Sequence, residues 1–162
     1  MPSVDTLDEM DIRLLLALQD EPRATVVALA ERVGLSRNTV QARLTKLERR
    51  LRSFERRIDP AALGYPLTAF ITVQVTQQML GELTESMAEI PEVVEVFGLT
   101  GATDLLVRVV AVDADDLYRI AGQVLATPGV ERTNFALAMR SLVDYRVAPL
   151  LNKALTDRAR EV

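Results

Sequence analysis

The hydrophobic pattern changes its period near Pro66. Before that residue, apolar side chains recur at every third or fourth position, which is typical of amphipathic helices. After it, the segment from Phe70 to Thr76 alternates apolar with polar residues and predicts a strand with one buried face. The chain is therefore expected to fold as an α+β protein, helical at first and built around strands afterwards.

The first helix is predicted from Asp8 to Gln19. A carboxylate or hydroxyl at its start can accept a backbone N–H and so cap it. The candidates for this cap are Asp8, Asp5 and Thr6. The apolar residues expected on one side of the helix are Ile12, Leu15 and Leu16. Pro22 then separates this helix from the next, which is expected to begin near Thr25.

A helix-turn-helix is predicted around Gly34. The apolar segment that precedes this glycine comprises Val26, Val27, Leu29, Ala30 and Val33. Glycine readily adopts the positive φ that ends a helix, and Ser36 is a good cap for the helix that follows. The apolar stripe of the following helix consists of Val40, Leu44, Leu47 and Leu51. The three helices are expected to end at Arg50 and to form a compact unit.

The opposite face of the third helix carries polar, small and cationic side chains. Its candidate DNA-binding residues are Ser36, Arg37, Asn38, Thr39, Gln41, Ala42, Thr45, Lys46 and Arg49. Asn and Gln can bond adenine edges, Arg and Lys can meet guanine or phosphate, and a small residue permits close approach. A solvated basic face is the alternative interpretation. The preceding helix and the short turn favour a helix pair that binds double-stranded DNA.

Charge is distributed unevenly along the chain, whose formal net charge is -4. Residues 1–60 contain 11 basic and 10 acidic side chains, whereas residues 61–162 contain 8 and 13. Eight of the basic residues lie between Ser36 and Arg57, where only two acidic residues occur. A basic stripe on an acidic protein fits DNA bound by a single face, because phosphate neutralisation requires local charge.

The chain contains neither cysteine nor histidine. These absences exclude a Cys/His zinc site, a thiol nucleophile and a histidine-based triad within one chain. The segment from Met1 to Met10 carries three acids and no base, unlike the start of a signal peptide. No apolar run approaches the roughly 18 residues of a membrane span. We therefore expect a cytoplasmic protein without a membrane partner, a metal or a cofactor.

The second half alternates strands and helices in the order β-α-β-β-α-β, which is the ferredoxin-like arrangement. The predicted strands are Phe70 to Thr76, Val93 to Thr100, Leu105 to Val112 and Val130 to Met139. The predicted helices are Met79 to Ile90, Asp113 to Ala126 and a terminal one from Pro149 to Arg160. Two helices cover only one face of a four-stranded sheet, so the other face is expected to need a partner.

Proline and glycine residues mark the boundary between the two halves. The predicted divisions are a helix-turn-helix domain over residues 1–60, a linker over 61–66, a ferredoxin-like domain over 67–148 and a terminal helix over 149–162. The segment from Arg52 to Asp59 is either a short wing or part of the linker. In a wing, Arg56 and Arg57 would contact phosphates.

Several motifs resemble those of the Lrp/AsnC family of feast/famine regulators. They are Leu7-Asp8-x-x-Asp11, Leu29-Ala30-x-x-Val33-Gly34-Leu35-Ser36, Arg43-x-x-x-Leu47-Glu48, Ile58-Asp59-Pro60 with Leu63-Gly64, and Thr100-Gly101-Ala102-Thr103-Asp104. The resemblance covers nearly the whole chain. It implies a transcription regulator with a winged helix-turn-helix domain. It also implies a sheet domain that forms a homodimer, assembles into tetramers or octamers, and often binds an amino acid between protomers.

Two positions depart from the family's pattern. The run from Arg49 to Arg52 lacks the glycine of the family's turn into a wing. Thr103 stands where the family usually has an aromatic residue before the aspartate. With a smaller side chain there, the pocket is expected to be wider and more polar, and to prefer a bulky or polar amino acid.

The loop between the second and third strands has two interpretations. Gly101 and Asp104 are common turn residues, and an aspartate can bond backbone N–H groups in a turn. The resemblance instead implies an effector site made by Thr100, Gly101, Ala102, Thr103 and Asp104. In that site the carboxylate would meet an ammonium, and loop N–H groups would meet a carboxylate. A DNA-binding regulator or architectural protein without a small-molecule effector is the open alternative.

A catalytic role is the competing class of function. The carboxylates that are available to hold Mg²⁺ are Asp104, Asp113, Asp115 and Asp116. The last three stand at the start of a predicted helix, where capping explains them more simply. Neither a nucleophile–base pair nor a phosphate loop accompanies them, so the chain is not expected to be an enzyme.

Overall fold

Side-chain caps set the limits of the three N-terminal helices. In the computed structural model, which describes residues 6–76 and 79–160, these helices are α1 (Glu9–Asp20), α2 (Val26–Val33) and α3 (Arg37–Glu48). The carboxylate of Asp8 accepts the N–H of Asp11, and the carboxylate of Asp11 accepts the N–H of Asp8. Thr25 and Ser36 cap α2 and α3, each accepting the N–H three residues further on. Asp8 is thus confirmed as the cap of α1, and Asp5 lies outside the described residues.

The helical core differs from the expected one at its edges. Its buried members are Leu14, Ala17, Leu29, Ala30, Val40 and Leu47. On α1, the core residues are Leu14 and Ala17, with Leu15 packed against them, whereas Leu16 is half-buried and lies outside this cluster. On α3, Leu51 was wrongly assigned to the apolar stripe. It lies beyond the end of the helix and is 53% exposed.

The tail helix α6 (Ala148–Arg160) packs with the N-terminal helices. It contacts α1, and the Arg158 guanidinium donates to the carbonyl oxygen of Leu7 over 2.5 Å. In the segment that precedes it, the ring of Tyr145 lies under the guanidinium of Arg52, 4.6 Å from the ring centroid. The tail is therefore tied to both ends of the helix-turn-helix.

The chain divides into two compact units. The helical unit holds the described residues up to Ser53 and those from Val143 onward, and the sheet unit is Phe54–Leu142. The expected boundary after residue 60 thus lies inside the sheet unit, and the tail is no separate segment. The stretch that was predicted as either a wing or a linker forms a 3-10 turn at Phe54–Arg57. A second turn follows at Pro60–Leu63, and the described residues between Arg52 and Asp59 include no strand of a wing.

Four antiparallel strands form one sheet in the order β2-β3-β1-β4. The elements of this unit are β1 (Leu67–Val75), α4 (Leu80–Ala88), β2 (Val93–Gly98), β3 (Leu105–Ala111), α5 (Ala114–Ala126) and β4 (Val130–Leu137). Their sequence and the central position of β1 and β3 confirm the ferredoxin-like prediction. The predicted limits were wrong at strand ends and at helix ends, as in α4, which was expected from Met79 to Ile90. Thus β1 begins earlier, because Leu67 still pairs with Ala111 of β3.

One face of the sheet is buried against α4 and α5. Its core consists of Ala69, Ile71, Val73, Val75, Leu83, Met87, Leu105, Val107, Val109, Ala111, Leu117, Ile120 and Val124. Because side chains alternate along a strand, Thr72 and Gln74 of β1 lie on the opposite face, here called the open face. The turn into β4 depends on Gly129, which has φ +90°. An added Cβ would lie only 3.0 Å from the Cβ of Met79, so no larger residue fits without displacement.

Candidate nucleic-acid interface and ligand cavity

The turn between α2 and α3 is closed by a glycine and a serine. Gly34 has φ +69°, in the left-handed region, and ends α2. The N–H of Leu35 donates to the carbonyl oxygen of Ala30 over 3.0 Å. The hydroxyl of Ser36 accepts the N–H of Thr39 over 3.1 Å. These bonds fix the direction in which α3 leaves the turn, as a helix-turn-helix requires.

The predicted polar face of α3 is exposed. The nine residues at the surface, here called the α3 face, are Ser36, Arg37, Asn38, Thr39, Gln41, Ala42, Thr45, Lys46 and Arg49. Behind them, Val40 and Leu47 are 0% and 2% exposed and belong to the helical core. The α3 face is therefore held towards solvent by a helix whose other side is packed.

Hydrogen bonding distinguishes the members of the α3 face. The hydroxyl of Thr45 donates to the carbonyl oxygen of Gln41 over 3.2 Å and is satisfied within the helix. In contrast, the side chains of Arg37, Asn38 and Gln41 make no hydrogen bond or ion pair with any described residue. Their donors and acceptors are therefore available to base edges or phosphates.

Arg43 lies on α3 but does not belong to the α3 face. Its guanidinium bonds the carboxylate of Asp8 at 2.6 Å and that of Asp11 at 2.7 Å. The Asp11 side chain is 6% exposed and nearly removed from water, whereas the Arg43 side chain is 28% exposed. Arg43 and Asp11 were noted in the sequence only within family motifs, and Asp8 also as a candidate cap, so their contact was not predicted. The interaction joins α3 to the capped start of α1.

The same contacts change the acid–base properties of the pair. Hydrogen bonds to Asp8 and then to Asp11 raise the pKa of Arg43 above its ordinary value. Burial raises the pKa of Asp8, but the hydrogen bonds from Arg43 and from the Asp11 N–H outweigh it and leave that pKa below its ordinary value. Both groups are therefore charged at neutral pH.

In the loop between β2 and β3, Asp104 is bonded to the backbone of β1. Its carboxylate accepts the N–H of Val75 over 2.9 Å, and its own N–H donates to the carbonyl oxygen of Val73 over 3.0 Å. The Asp104 carbonyl oxygen accepts the N–H of Leu99 over 2.7 Å and closes the loop. Gly101 provides the φ of +119° at the tip. The aspartate therefore acts here as a backbone acceptor, as in the turn interpretation.

A cavity of about 190 Å³ opens beside this loop on the open face of the sheet. Its lining residues are Thr72, Gln74, Ala102, Thr103, Arg132, Thr133 and Asn134. Strand pairing aligns Thr72 with Asn134 and Gln74 with Arg132. The amide nitrogen of Gln74 donates to the carbonyl oxygen of Ala102 over 2.8 Å and attaches the loop to β1.

The cavity contains only part of the predicted effector set. Ala102 and Thr103 line it, whereas Thr100, Gly101 and Asp104 do not. The five lining residues from β1 and β4 were missed. The period of two along β1 assigned Thr72 and Gln74 to a polar face. No sequence pattern, however, indicated which residues of β4 stand opposite them.

The acidic residues around the start of α5 cap that helix. The carboxylate of Asp113 accepts the N–H of Asp116 over 2.8 Å, and that of Asp116 accepts the N–H of Val112 over 3.1 Å. The hydrogen bond from the Val112 N–H lowers the pKa of Asp116 most, and the Arg119 guanidinium, 2.6 Å away, lowers it further. Among the residues described, no group of three His, Cys, Asp or Glu side chains is placed to hold a metal ion.

A second charged group lies on the open face at β2 and β3. The carboxylate of Glu95 bonds the guanidinium of Arg56 at 2.5 Å and that of Arg108 at 3.4 Å. Burial raises the pKa of Glu95, but these two hydrogen bonds outweigh it and leave the pKa below its ordinary value. These two arginines thus share one carboxylate.

Comparison with known proteins assigns each half of the chain. Residues 7–48 match the AsnC-type helix-turn-helix domain, and residues 68–148 match the Lrp/AsnC ligand binding domain. The HTH-type transcriptional regulator FL11 of Pyrococcus horikoshii is 31% identical over 146 residues, which is 89% of this chain and 97% of FL11. The HTH-type transcriptional regulator AldR of Mycolicibacterium smegmatis is 39% identical over 118 residues, covering 70% of this chain and 69% of AldR.

Solved structures agree with this assignment. A transcriptional regulator of Neisseria meningitidis in complex with L-methionine is 29% identical, covers 90% of this chain and 99% of its own, and has a TM-score of 0.76. The feast or famine regulatory protein of M. tuberculosis, complexed with L-methionine, is 28% identical, covers 87% and 97%, and has a TM-score of 0.75. No described helix is both long and apolar enough to cross a membrane. With both halves matched and relatives aligned along most of its length, the chain belongs to the Lrp/AsnC family of transcriptional regulators.

Proposed function

We propose that this chain is a cytoplasmic, non-catalytic regulator that recognises a DNA sequence with the α3 face and senses a small amino-acid-like molecule with its sheet unit. The observation that carries the DNA-binding part is the exposure of all nine α3-face residues on a helix whose other side is buried. A helix presented in this way can enter the major groove.

The chemistry of the α3 face supports a division of roles. The amides of Asn38 and Gln41 suit adenine edges. The small Ala42, which follows Gln41, permits close approach of the helix to the bases. Lys46 and Arg49 lie towards the end of the helix, where cations suit the phosphate backbone. Base recognition is thus expected near the start of α3, and sequence-independent affinity near its end.

Selection of genomic fragments by the intact protein, followed by sequencing, tests the DNA-binding part. A dimer should enrich a rough palindrome whose half-sites are about one helical turn, roughly 34 Å, apart. The Gln41→Ala variant should lose the base preference at one position of each half-site. Gln19→Ala is the matched control, because Gln19 is an exposed glutamine on α1, away from the α3 face. Absence of any enriched motif, together with no shift of promoter DNA at low salt, would refute the proposal.

Two observations support the sensing part. The sheet unit matches a ligand binding domain, and two similar structures carry L-methionine. The unit also has a polar cavity that includes Ala102 and Thr103 of the expected loop. A thermal-shift screen of the amino acids with the intact protein should find a ligand that raises the unfolding temperature by mass action. If no amino acid raises the unfolding temperature, the protein is a regulator without an amino-acid effector. The DNA selection tests the DNA-binding part separately.

We further propose that the open face of the sheet joins two copies of the chain. Phe70 and Phe97 are 37% and 46% exposed on this face, in a unit whose helices cover the other side. The intact protein should therefore sediment as a dimer or a larger species at micromolar concentration. Phe70→Glu should shift it towards monomer, whereas Leu125→Glu on exposed α5 should not. A wild-type monomer under these conditions would contradict the proposal.

A further inference from the structure

We propose that the ligand of the sheet cavity is an anion, a small molecule with more carboxylates than ammonium groups. Acidic amino acids and 2-oxo dicarboxylates share this chemistry. The inference rests on the sensing role proposed above, and it narrows that role by the charge of the cavity. Its specificity-determining residue is Arg132.

Among the residues that the structure describes, the cavity lining contains one cation and no carboxylate. Arg132 is the single charged residue of that described lining, and the others are threonines, amides and an alanine. The register with β1 places Arg132 directly opposite Gln74, at an exposed position of the edge strand β4. Arg132 is thus part of the wall that a ligand would contact.

The carboxylates nearest in the chain are engaged elsewhere. Asp104 accepts the N–H of Val75 over 2.9 Å, and Glu131 accepts the hydroxyl of Thr76 over 2.9 Å. Neither residue lines the cavity. Asp104 was expected to bind the ammonium group of a ligand. Its carboxylate instead bonds the backbone of β1 and does not line the cavity.

Arg132 itself makes no ion pair with any residue that the structure describes. The other two arginines of the open face differ, because Arg56 and Arg108 share the carboxylate of Glu95. Within one chain, Arg132 is thus a cation without a described counter-charge, in a half whose formal charge is acidic. A guanidinium in this state favours a bidentate carboxylate.

Charge balance then selects among ligands. A neutral amino acid has one carboxylate for Arg132, but its ammonium adds a second cation to a cavity without a carboxylate. An acidic amino acid or a 2-oxo dicarboxylate supplies one further negative charge. The amides of Gln74 and Asn134 remain to orient the rest of the molecule. Neutral ligands should therefore bind more weakly than anionic ligands of the same shape.

Calorimetric titration of the intact protein tests this inference with matched ligands. L-glutamate and L-glutamine have nearly the same shape and differ in charge, as do L-aspartate and L-asparagine. At least one acidic member should bind about tenfold or more tightly than its amide, because a charge-assisted bond replaces a neutral one. A titration with 2-oxoglutarate decides whether the ammonium is needed, and L-methionine serves as the neutral reference.

Variants of Arg132 identify the group responsible. Arg132→Gln should bring the acid-to-amide ratio close to one, and Arg132→Lys should keep part of it. The matched control is Arg140→Gln, an exposed arginine outside the cavity, which should leave the ratio unchanged. The preference should also weaken as salt is raised.

The remaining outcomes overturn the inference in distinguishable ways. Preferred binding of a neutral amino acid, or a ratio that survives Arg132→Gln, refutes the anionic assignment but leaves the sensing role standing. Failure of every amino acid and of 2-oxoglutarate to bind refutes both. DNA selection with the same preparation decides the DNA-binding role independently of either result.

Discussion

The α3 face and the sheet cavity are both polar surfaces, but the chain assembles them in different ways. The members of the α3 face all lie between Ser36 and Arg49, on or beside one helix. The cavity joins the strand residues Thr72 and Gln74 to the loop at Ala102 and to β4 at residues 132–134. A helix shows its exposed side through a local period, whereas a cavity between strands depends on which distant residues are paired.

This difference explains which site was predicted. The hydroxyl of Thr72 donates to the carbonyl oxygen of Asn134, 62 positions away, and no local pattern contains that distance. The α3 face needed only the positions of Val40 and Leu47, which fix the buried side of the helix. The two surfaces should therefore respond differently to substitutions that disturb packing, register or charge.

The largest expected effect is the loss of the ion pair behind the α3 face. Arg43→Met should destabilise the helical unit by about 3 kcal/mol, because it leaves the 6%-exposed Asp11 without its cation. Hydrogen exchange should report faster opening of α1 and α3, with the sheet unit unchanged. Arg13→Met is the control, since Arg13 and its partner Glu9 are exposed, and should cost less than about 0.5 kcal/mol. Equal increases in hydrogen exchange in the helical unit and the sheet unit would contradict the claim that this ion pair stabilises only the helical unit.

A smaller effect is expected at Asp104. Asp104→Ala should cost about 1–3 kcal/mol in the sheet unit, because the N–H of Val75 loses its acceptor. Asp104→Asn keeps an acceptor oxygen and should retain most of the stability. Urea unfolding of the two variants gives the comparison, and exchange of the Val75 amide localises it. If the asparagine variant is as unstable as the alanine variant, the carboxylate has a role other than accepting this bond.

Substitutions on the α3 face should alter binding without altering stability. Asn38→Ala should reduce the preference for one base by about 1–3 kcal/mol and relax the selected sequence at that position. If Lys46 contacts a phosphate, Lys46→Ala should weaken binding to all DNA sequences alike. It should also lower the slope of log affinity against log salt concentration by about one. Anisotropy titrations on selected and random DNA at several salt concentrations separate the two effects. Equal losses on random DNA from both variants would remove the proposed division of roles.

The smallest effect concerns acid. The folded pKa of Asp8 lies below 3.8 and that of Glu95 below 4.5, because arginine bonds outweigh the effect of burial in each case. A lowered folded pKa contributes stability above the unfolded value and loses it as the pH falls through the folded one. The contribution of Glu95 to the free energy of unfolding should therefore begin to decrease below pH 4.5, and that of Asp8 below pH 3.8.

A carbon-13 NMR titration of the carboxyl groups measures both midpoints in the intact chain. Arg43→Met should move the midpoint of Asp8 upward and leave that of Glu95 in place. A wild-type midpoint for Asp8 at or above 3.8 would contradict the account of its hydrogen bonds.

Local chemistry accounts for most of what the sequence predicted. Gly34 and Ser36 specify the end of one helix and the start of the next, because a positive φ and a hydroxyl cap act within a few residues. The alternation along β1 likewise gave its buried face. The partners of Arg43 and Asp104 escaped prediction, because each bond joins segments about 30 residues apart and depends on tertiary packing.

The absence of cysteine from the chain provides the most direct test of the DNA-binding surface. Ala42→Cys places a single thiol in the middle of the α3 face. As the control, Ala114→Cys places one at an exposed position of α5. Binding to the selected operator should slow alkylation of the thiol at position 42 about tenfold or more and leave that at position 114 unchanged. Equal alkylation rates at position 42 with and without saturating operator would contradict the claim that the α3 face lies against DNA.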